Sequence, residues 1–352
     1  MVTLDGVSER ARALHQQAIV FDGLMPWGNL DHLESLREAR QGGLAAANVT
    51  VAHYPHNSVR AFERIARYVS IIDQNRDWLR MVRSVSEIEQ AKADGVIGIV
   101  LGFQDTSPFE NRLDLIDAFA AVGVRIVQLT YNSQNYVGFG CCEPLQGPLS
   151  LFGREVLRRL EDLGIAVDLS HCGDETTEDV LRRAKKPVFF THSGARAICP
   201  AYGRNKTDDQ IRALAATGGV IGVTFAPFLV KRDPVTHDVL PSTIDDVIRH
   251  IEYIGDLVGL DYVGIGTDLC SAWIDQRATP PESSLRWWRE ARPDVFGRGP
   301  TTEYDPYPEG LRRHSELPNL TQRLVERGFS DGEILGILGA NFLRALRVVW
   351  GG

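Results

Sequence analysis

The sequence predicts an α/β protein of the (β/α)₈ barrel class, on three observations. It carries eight short apolar runs, a helical pattern follows most of them, and polar side chains cluster at their C-terminal ends. The runs cover residues 18–23, 44–51, 96–103 and 124–130, then 165–170, 187–191, 219–225 and 262–268. They are apolar almost throughout rather than alternating, as in parallel strands buried on both faces. Between them, stretches such as SVRAFERIARYVSIIDQ and STIDDVIRHIEYIGDLVG repeat apolar residues at helical spacing. About eight such units is the number that closes a barrel. An open doubly wound sheet is the alternative, disfavoured by the even spacing and by the lack of a GxGxxG after the first run.

Ser150, Asp174 and Thr207 stand at helix starts, where a side-chain oxygen accepts the free N–H groups of the first turn. A chain of 352 residues invites a two-domain reading, but barrels of this size are common as one unit, so residues 1–352 are read as a single barrel domain. One stretch breaks the rhythm. Residues 270–320 are rich in Pro, Trp and Arg and follow the eighth run, which places them on the face where barrels do chemistry. Trp273, Trp287 and Trp288 are expected to form a lid or pocket wall, with oligomer packing as the alternative.

Composition narrows the function classes. With 43% hydrophobic and 24% charged residues the chain can bury a large core. Its net charge of −8 and the lack of a basic block argue against a nucleic-acid or anionic-membrane partner. The N-terminal MVTLDGVSERARALHQQAIV is charged throughout, unlike a secretory signal, and no long apolar window suggests a membrane span. Cys141, Cys142, Cys172, Cys199 and Cys270 show no CxxC spacing, so a disulfide framework is not expected. A soluble, cytoplasmic protein is the expectation.

The residues at the run ends are Asp22, Asn48 with His53 beyond it, Gln104 and Asp105, Tyr131, His171, His192, Thr224 and Asp268. His171 and His192 close consecutive runs, one βα unit apart, a placement suited to gripping one ion from neighbouring strands. Asp268, at the eighth run, suits a carboxylate that takes a proton from water and passes it to a leaving amine. A helix cap or salt bridge is its plainer reading.

The stretches DLSHCGDETTEDVL, PVFFTHSGARAI, RNKTDDQIRALAATGGVIGV, YVGIGTDL and ILGANFLRALRVV resemble the membrane dipeptidases, a branch of the amidohydrolase superfamily. The resemblance spans nearly the whole chain and is densest over 163–223. It implies an amidohydrolase-like barrel, often a homodimer, that cleaves dipeptides at a binuclear zinc centre. By position, His171 and His192 match the two histidines of the second zinc, and Asp268 matches the acid that works with the bridging hydroxide. Arg204 and Asn205 match an arginine for the substrate carboxylate and its neighbour. Tyr131 stands where the family often has a substrate-binding histidine.

The first metal site departs from that pattern. Leu24 and Pro26 occupy the positions of a His-x-Asp pair, and Gln104 replaces the bridging glutamate. The expectation is therefore one zinc ion per chain, held by His171, His192 and an oxygen from Gln104, Asp105 or Asp268. Asp22 is a further candidate ligand, with a structural role as its plainer reading. Cys141, in GFGCCEP, is a candidate thiolate ligand or nucleophile, or else a small buried thiol. The predicted function is hydrolysis of small amide substrates by metal-activated water, with Tyr131 orienting or stabilising the oxyanion and Arg204 receiving a substrate carboxylate in a two-pronged contact. The alternatives are a metal-free barrel that binds a metabolite or partner, and a lyase or ring-opening reaction using Cys141.

Overall fold

Nine parallel strands form the centre of the computed structural model, which describes residues 6–26, 30–270, 285–299 and 307–351. They are β1 (Val20–Met25), β2 (Leu44–Ala52), β3 (Leu79–Met81), β4 (Ile97–Phe103), β5 (Val124–Gln128), β6 (Ala166–Asp168), β7 (Phe189–Ser193), β8 (Val220–Val223) and β9 (Val263–Ile265). Their order is β2-β1-β9-β8-β7-β6-β5-β4-β3. A further pairing of β2 with β4, from Ala46 opposite Gly98 to Ala52 opposite Phe103, closes the sheet on itself. Eight strands thus make the barrel, and they are the eight apolar runs. The ninth, β3, pairs with β4 only from Ile97 to Ile99, while β5 takes β4 from Leu101 onward. Three residues with Arg80 in the middle leave no apolar run to find.

Alternate strand residues divide between two cores, which is why the runs are apolar throughout. Phe21, Ala46, Val100, Ile126, Ala166, Phe189 and Val220 pack with Phe342, Leu346 and Val349 of the final helix, Asn341–Trp350. Their neighbours, including Val20, Ala47, Ile99, Val127, Val167 and Ile221, pack outward against the surrounding helices. Phe342 sits 5.4 Å from the Phe21 ring and 6.0 Å from that of Phe189. These residues lie toward the N-terminal ends of the strands, so the last helix plugs that end and leaves the other for chemistry. At Gly222 and Gly266 an added Cβ would lie 2.2 and 1.8 Å from the Thr191 carbonyl oxygen, so only glycine lets β7, β8 and β9 approach this closely.

Ser150 and Thr207 cap their helices as expected, accepting from the N–H of Gly153 at 2.8 Å and of Gln210 at 3.2 Å. Asp174 does not. Gly173 is the cap, and Asp174 is the first helical residue, its carboxylate taking Arg196 at 2.6 and 2.9 Å and Gln210 at 3.1 Å. A carboxylate there still favours the helix through the dipole.

The segment after β9 is partly helical where described, with Leu285–Ala291 and Pro293–Phe296. Arg232 fastens it by donating to the carbonyls of Pro200, Pro293, Asp294 and Val295, and the Tyr202 N–H reaches Asp294 O at 3.0 Å. Trp288, Val295 and Phe296 pack on Cys141 and Cys142, whereas Trp287 is exposed. Trp273 lies outside the described residues. No helix among the described residues is long and apolar enough to cross a membrane.

Replacing Phe342 with Ala empties the plug, with an expected loss of about 3–5 kcal/mol in chemical denaturation. A loss under about 1 kcal/mol would show that the last helix does not anchor the barrel floor.

Candidate active site

Three buried aspartates frame the open end by one device. Asp22, Asp105 and Asp168 each accept the N–H two residues on, from Leu24 at 3.1 Å, Ser107 at 2.6 Å and Ser170 at 3.0 Å. Each then ties the end of an adjacent strand. Asp22 takes the N–H and hydroxyl of Thr267 at 2.7 and 2.6 Å, Asp168 those of Thr191 at 3.0 and 2.7 Å, and Asp105 the N–H of Tyr131 at 2.7 Å. Asp105 also takes the Ser107 hydroxyl and Asn135 Nδ2, and Asp22 lies 3.2 Å from His314 Nε2. Burial pushes the Asp105 and Asp168 carboxyls up from the ordinary range, and these hydrogen bonds oppose it. Their oxygens are engaged by protein donors, so Asp22 and Asp105 tie adjacent strand ends together, which for Asp22 is the structural role that its sequence position allowed.

The imidazoles converge inside this frame. His171, just beyond β6, and His192, within β7, bring Nε2 to within 3.0 Å of Nε2, with ring centroids 5.0 Å apart. Burial, and then the charge of Arg204, lowers both pKa values well below the ordinary histidine range, so both rings are neutral. His171 Nδ1 lies 2.8 Å from Asn132 Oδ1, and His192 Nδ1 lies 2.9 Å from Thr191 Oγ1. Gln104 Nε2 approaches His192 Nε2 at 3.4 Å. Tyr131 stacks on His171 at 4.3 Å and 20°.

Two imidazole nitrogens on one tetrahedral zinc would lie roughly 3.3 Å apart, given Zn–N bonds of about 2.0–2.1 Å. The observed 3.0 Å fits a shared ion. Among the described residues no group of three or more His, Cys, Asp or Glu gathers for a metal. Leu24 is apolar and fully buried. The two imidazoles thus fit a shared ion, with the Gln104 amide close by.

Arg204 is fully buried and turns its fork onto the main chain, with one terminal nitrogen 2.5 Å from Ser170 O and both 3.4 Å from His192 O. Its terminal nitrogens thus face main-chain carbonyls, Nε has no hydrogen-bond partner among the described residues, and Arg204 brings its charge to the site. Asn205 braces its own loop, donating to Cys199 O at 2.8 Å and Leu229 O at 2.9 Å. Lys206, which the sequence reading passed over, is also fully buried, donating to Gly203 O at 2.9 Å and Cys172 O at 3.2 Å. Burial lowers its pKa to about 8.

Asp268 sits at a φ of 56°, its N–H on Leu24 O at 3.1 Å and its carbonyl accepting from the Tyr307 hydroxyl at 2.6 Å. Loss of hydration raises its carboxyl pKa to about 7, against the pull of Arg204 and with a push from Asp22. The Tyr131 phenol is raised as well, by burial and by Asp268.

Cys141 is fully buried. Its thiol lies 3.5 Å from Asn132 Oδ1 and 3.9 Å from Cys142 Sγ, against Val295 and Phe296. Burial pushes this thiol up, but the Cys142 thiol and the Arg204, Lys206 and Arg292 charges bring it below the ordinary value. Its side-chain partners are an amide and a second thiol; neither is a base that would activate a nucleophile.

Asn132, Thr191, Asp168 and His314 were missed from sequence. Three had a signal: Asn132 follows Tyr131, Asp168 precedes His171 by three residues, and Thr191 precedes His192. His314, far along the chain, had none.

Residues 3–275 match the family described as Membrane dipeptidase (Peptidase family M19). Dipeptidase tcpJ of Claviceps purpurea is 27% identical over 297 residues, covering 84% of this chain but only 61% of that relative, less than two thirds of its length. An amidohydrolase crystal structure from Pseudomonas aeruginosa superposes with a TM-score of 0.84 at 35% identity, over 97% of this chain and 99% of that one. A metallo peptidase from Rhodobacter sphaeroides, crystallised with a phosphinate mimic of the dipeptide L-Ala-D-Ala, shares the fold at a TM-score of 0.76 and 19% identity, over 95% of this chain and 100% of that one.

Because the folded metal-free protein binds the Asp268 proton more tightly than the unfolded chain does, that stabilisation is complete below about pH 4 and is lost as the pH rises to about 7. Infrared difference titration of the metal-free protein is expected to show a carboxyl band with a midpoint near 7, absent in Asp268→Asn. A midpoint near 4 would remove Asp268 as a group poised at neutrality.

Proposed function

The chain belongs to the membrane dipeptidase family, and we propose that it is a metal-dependent hydrolase of small amide substrates that works with a single zinc ion. One observation carries this reading: two neutral imidazoles aim Nε2 at a common point, 3.0 Å apart, in the mouth of the barrel. His171 and His192 would hold the ion, with Gln104 near enough to lend its amide oxygen after rotation. When bound, zinc polarises a carbonyl and makes water acidic enough to act near neutrality.

The other residues supply proton transfer and positioning. Asp268, with a pKa of about 7, is suited to accept the proton of the attacking water and to return it to the leaving amine. Tyr131 is held by its stack on His171 and by Asp105 at its main-chain N–H. Its phenol, kept protonated, donates a hydrogen bond to the oxygen on which charge develops. Arg204 and Lys206 give this end of the barrel a positive field that favours a substrate carrying a carboxylate. Short peptides meet both requirements, an amide to cleave and a terminal carboxylate.

The same two cations favour a competing reading, a metal-free barrel that binds a small anion, because they raise the cost of placing a dication beside them. Elemental analysis with a dipeptide-hydrolysis assay separates the two. About one equivalent of zinc is expected, with activity abolished by chelation and restored by zinc, and His192→Ala should lower kcat/KM by roughly a thousandfold. Less than about a tenth of an equivalent, with no hydrolysis on adding zinc, would leave the binding barrel.

A further inference from the structure

A neutral imidazole offers a cation only one nitrogen, and the partner of the other nitrogen decides which. His171 Nδ1 faces Asn132 Oδ1 at 2.8 Å. An amide oxygen only accepts, so Nδ1 carries the hydrogen and Nε2 keeps its lone pair. The Cys141 thiol lies 3.5 Å from the same oxygen as a second donor to it. Asn132 is itself held, its carbonyl accepting the Cys142 N–H at 2.9 Å, while a Cβ on Gly140 would come within 2.3 Å of its main chain.

His192 is set by a different route to the same end. Its Nδ1 lies 2.9 Å from Thr191 Oγ1, whose hydrogen goes to Asp168 Oδ2 at 2.7 Å. The other Asp168 oxygen is occupied by Ser170 N and Oγ at 3.0 and 2.6 Å and by Thr191 N at 3.0 Å. Thr191 Oγ1 must therefore accept from His192 Nδ1–H. Gln104 Nε2, a donor 3.4 Å from His192 Nε2, agrees with a lone pair there. Two lone pairs then face each other across 3.0 Å with no hydrogen between them, an arrangement that only a cation makes favourable.

We propose that Asn132 is a positioning residue that holds His171 as the Nδ1–H form and presents its Nε2 to a divalent cation, as the Asp168–Thr191 pair does for His192. This rests on the reading of His171 and His192 as the holders of the ion.

The test uses the full chain, freed of metal and with its histidines labelled with nitrogen-15. Long-range proton–nitrogen NMR reports each tautomer, and competition with a chromophoric chelator reports zinc affinity. His171 is expected as the Nδ1–H form. Asn132→Asp keeps the acceptor and should bind zinc at least as tightly as the parent, whereas Asn132→Leu should lose roughly 10–100-fold. A merely structural residue would lower the melting temperature of Asn132→Leu without moving zinc affinity. His171 found as the Nε2–H form, a folded Asn132→Leu with parental affinity, or Asn132→Asp weakened more than about tenfold would each overturn the proposal. If Asn132→Leu does not fold, the parent spectrum and Asn132→Asp still decide. A parent chain that binds no zinc overturns the metallohydrolase reading instead, and the His171 tautomer still judges Asn132.

Discussion

The open end of this barrel depends on buried carboxylates that join one strand end to an adjacent one. A short parallel strand stops pairing where its ladder stops, and its last residues would be free to splay. Asp22, Asp105 and Asp168 prevent this by accepting hydrogens from Thr267, Tyr131 and Thr191, respectively. Burying a carboxylate is costly unless donors surround it. Each of these is surrounded, which makes the strand ends rigid, and rigidity here is what lets two imidazoles meet at 3.0 Å. The strut at Asp168 reaches His192 itself through the Thr191 hydroxyl.

Charge follows from that geometry. The positions where the family resemblance implies a histidine, an aspartate and a glutamate hold Leu24, Pro26 and Gln104, none of them charged, while Arg204 and Lys206 remain buried beside the histidines. Coulomb repulsion in a poorly hydrated site is strong. Asp22, Asp105 and Asp168 are engaged with protein donors, which leaves Asp268 as the titrating carboxylate at this end of the barrel.

The long connection after β9 belongs to the same construction. Arg232 collects four carbonyls and pins Pro293–Phe296 beside the loop that carries Arg204. That contact places Phe296, Val295 and Trp288 on Cys141 and Cys142, next to Asn132. Tyr307 and His314 reach back to Asp268 and Asp22. The wall of the site is thus built from chain lying far from the histidines in sequence.

The amino-acid sequence by itself determined the barrel, because a strand covered on both faces must be apolar along its whole length, and that pattern needs no partner to be read. It determined the His171 and His192 pair as well, since strand ends in a barrel all open on one side. Three-residue β3, with a charge at its centre, carried no such pattern. Only the tertiary structure showed that Asp22 and Asp105 tie adjacent strand ends, that Arg204 and Asn205 donate to main chain, and that Asn132 Oδ1 lies against His171 Nδ1. These roles depend on which donors stand within hydrogen-bond reach after folding. Residue type alone cannot tell a free carboxylate, amide or guanidinium from one whose hydrogen bonds are already made.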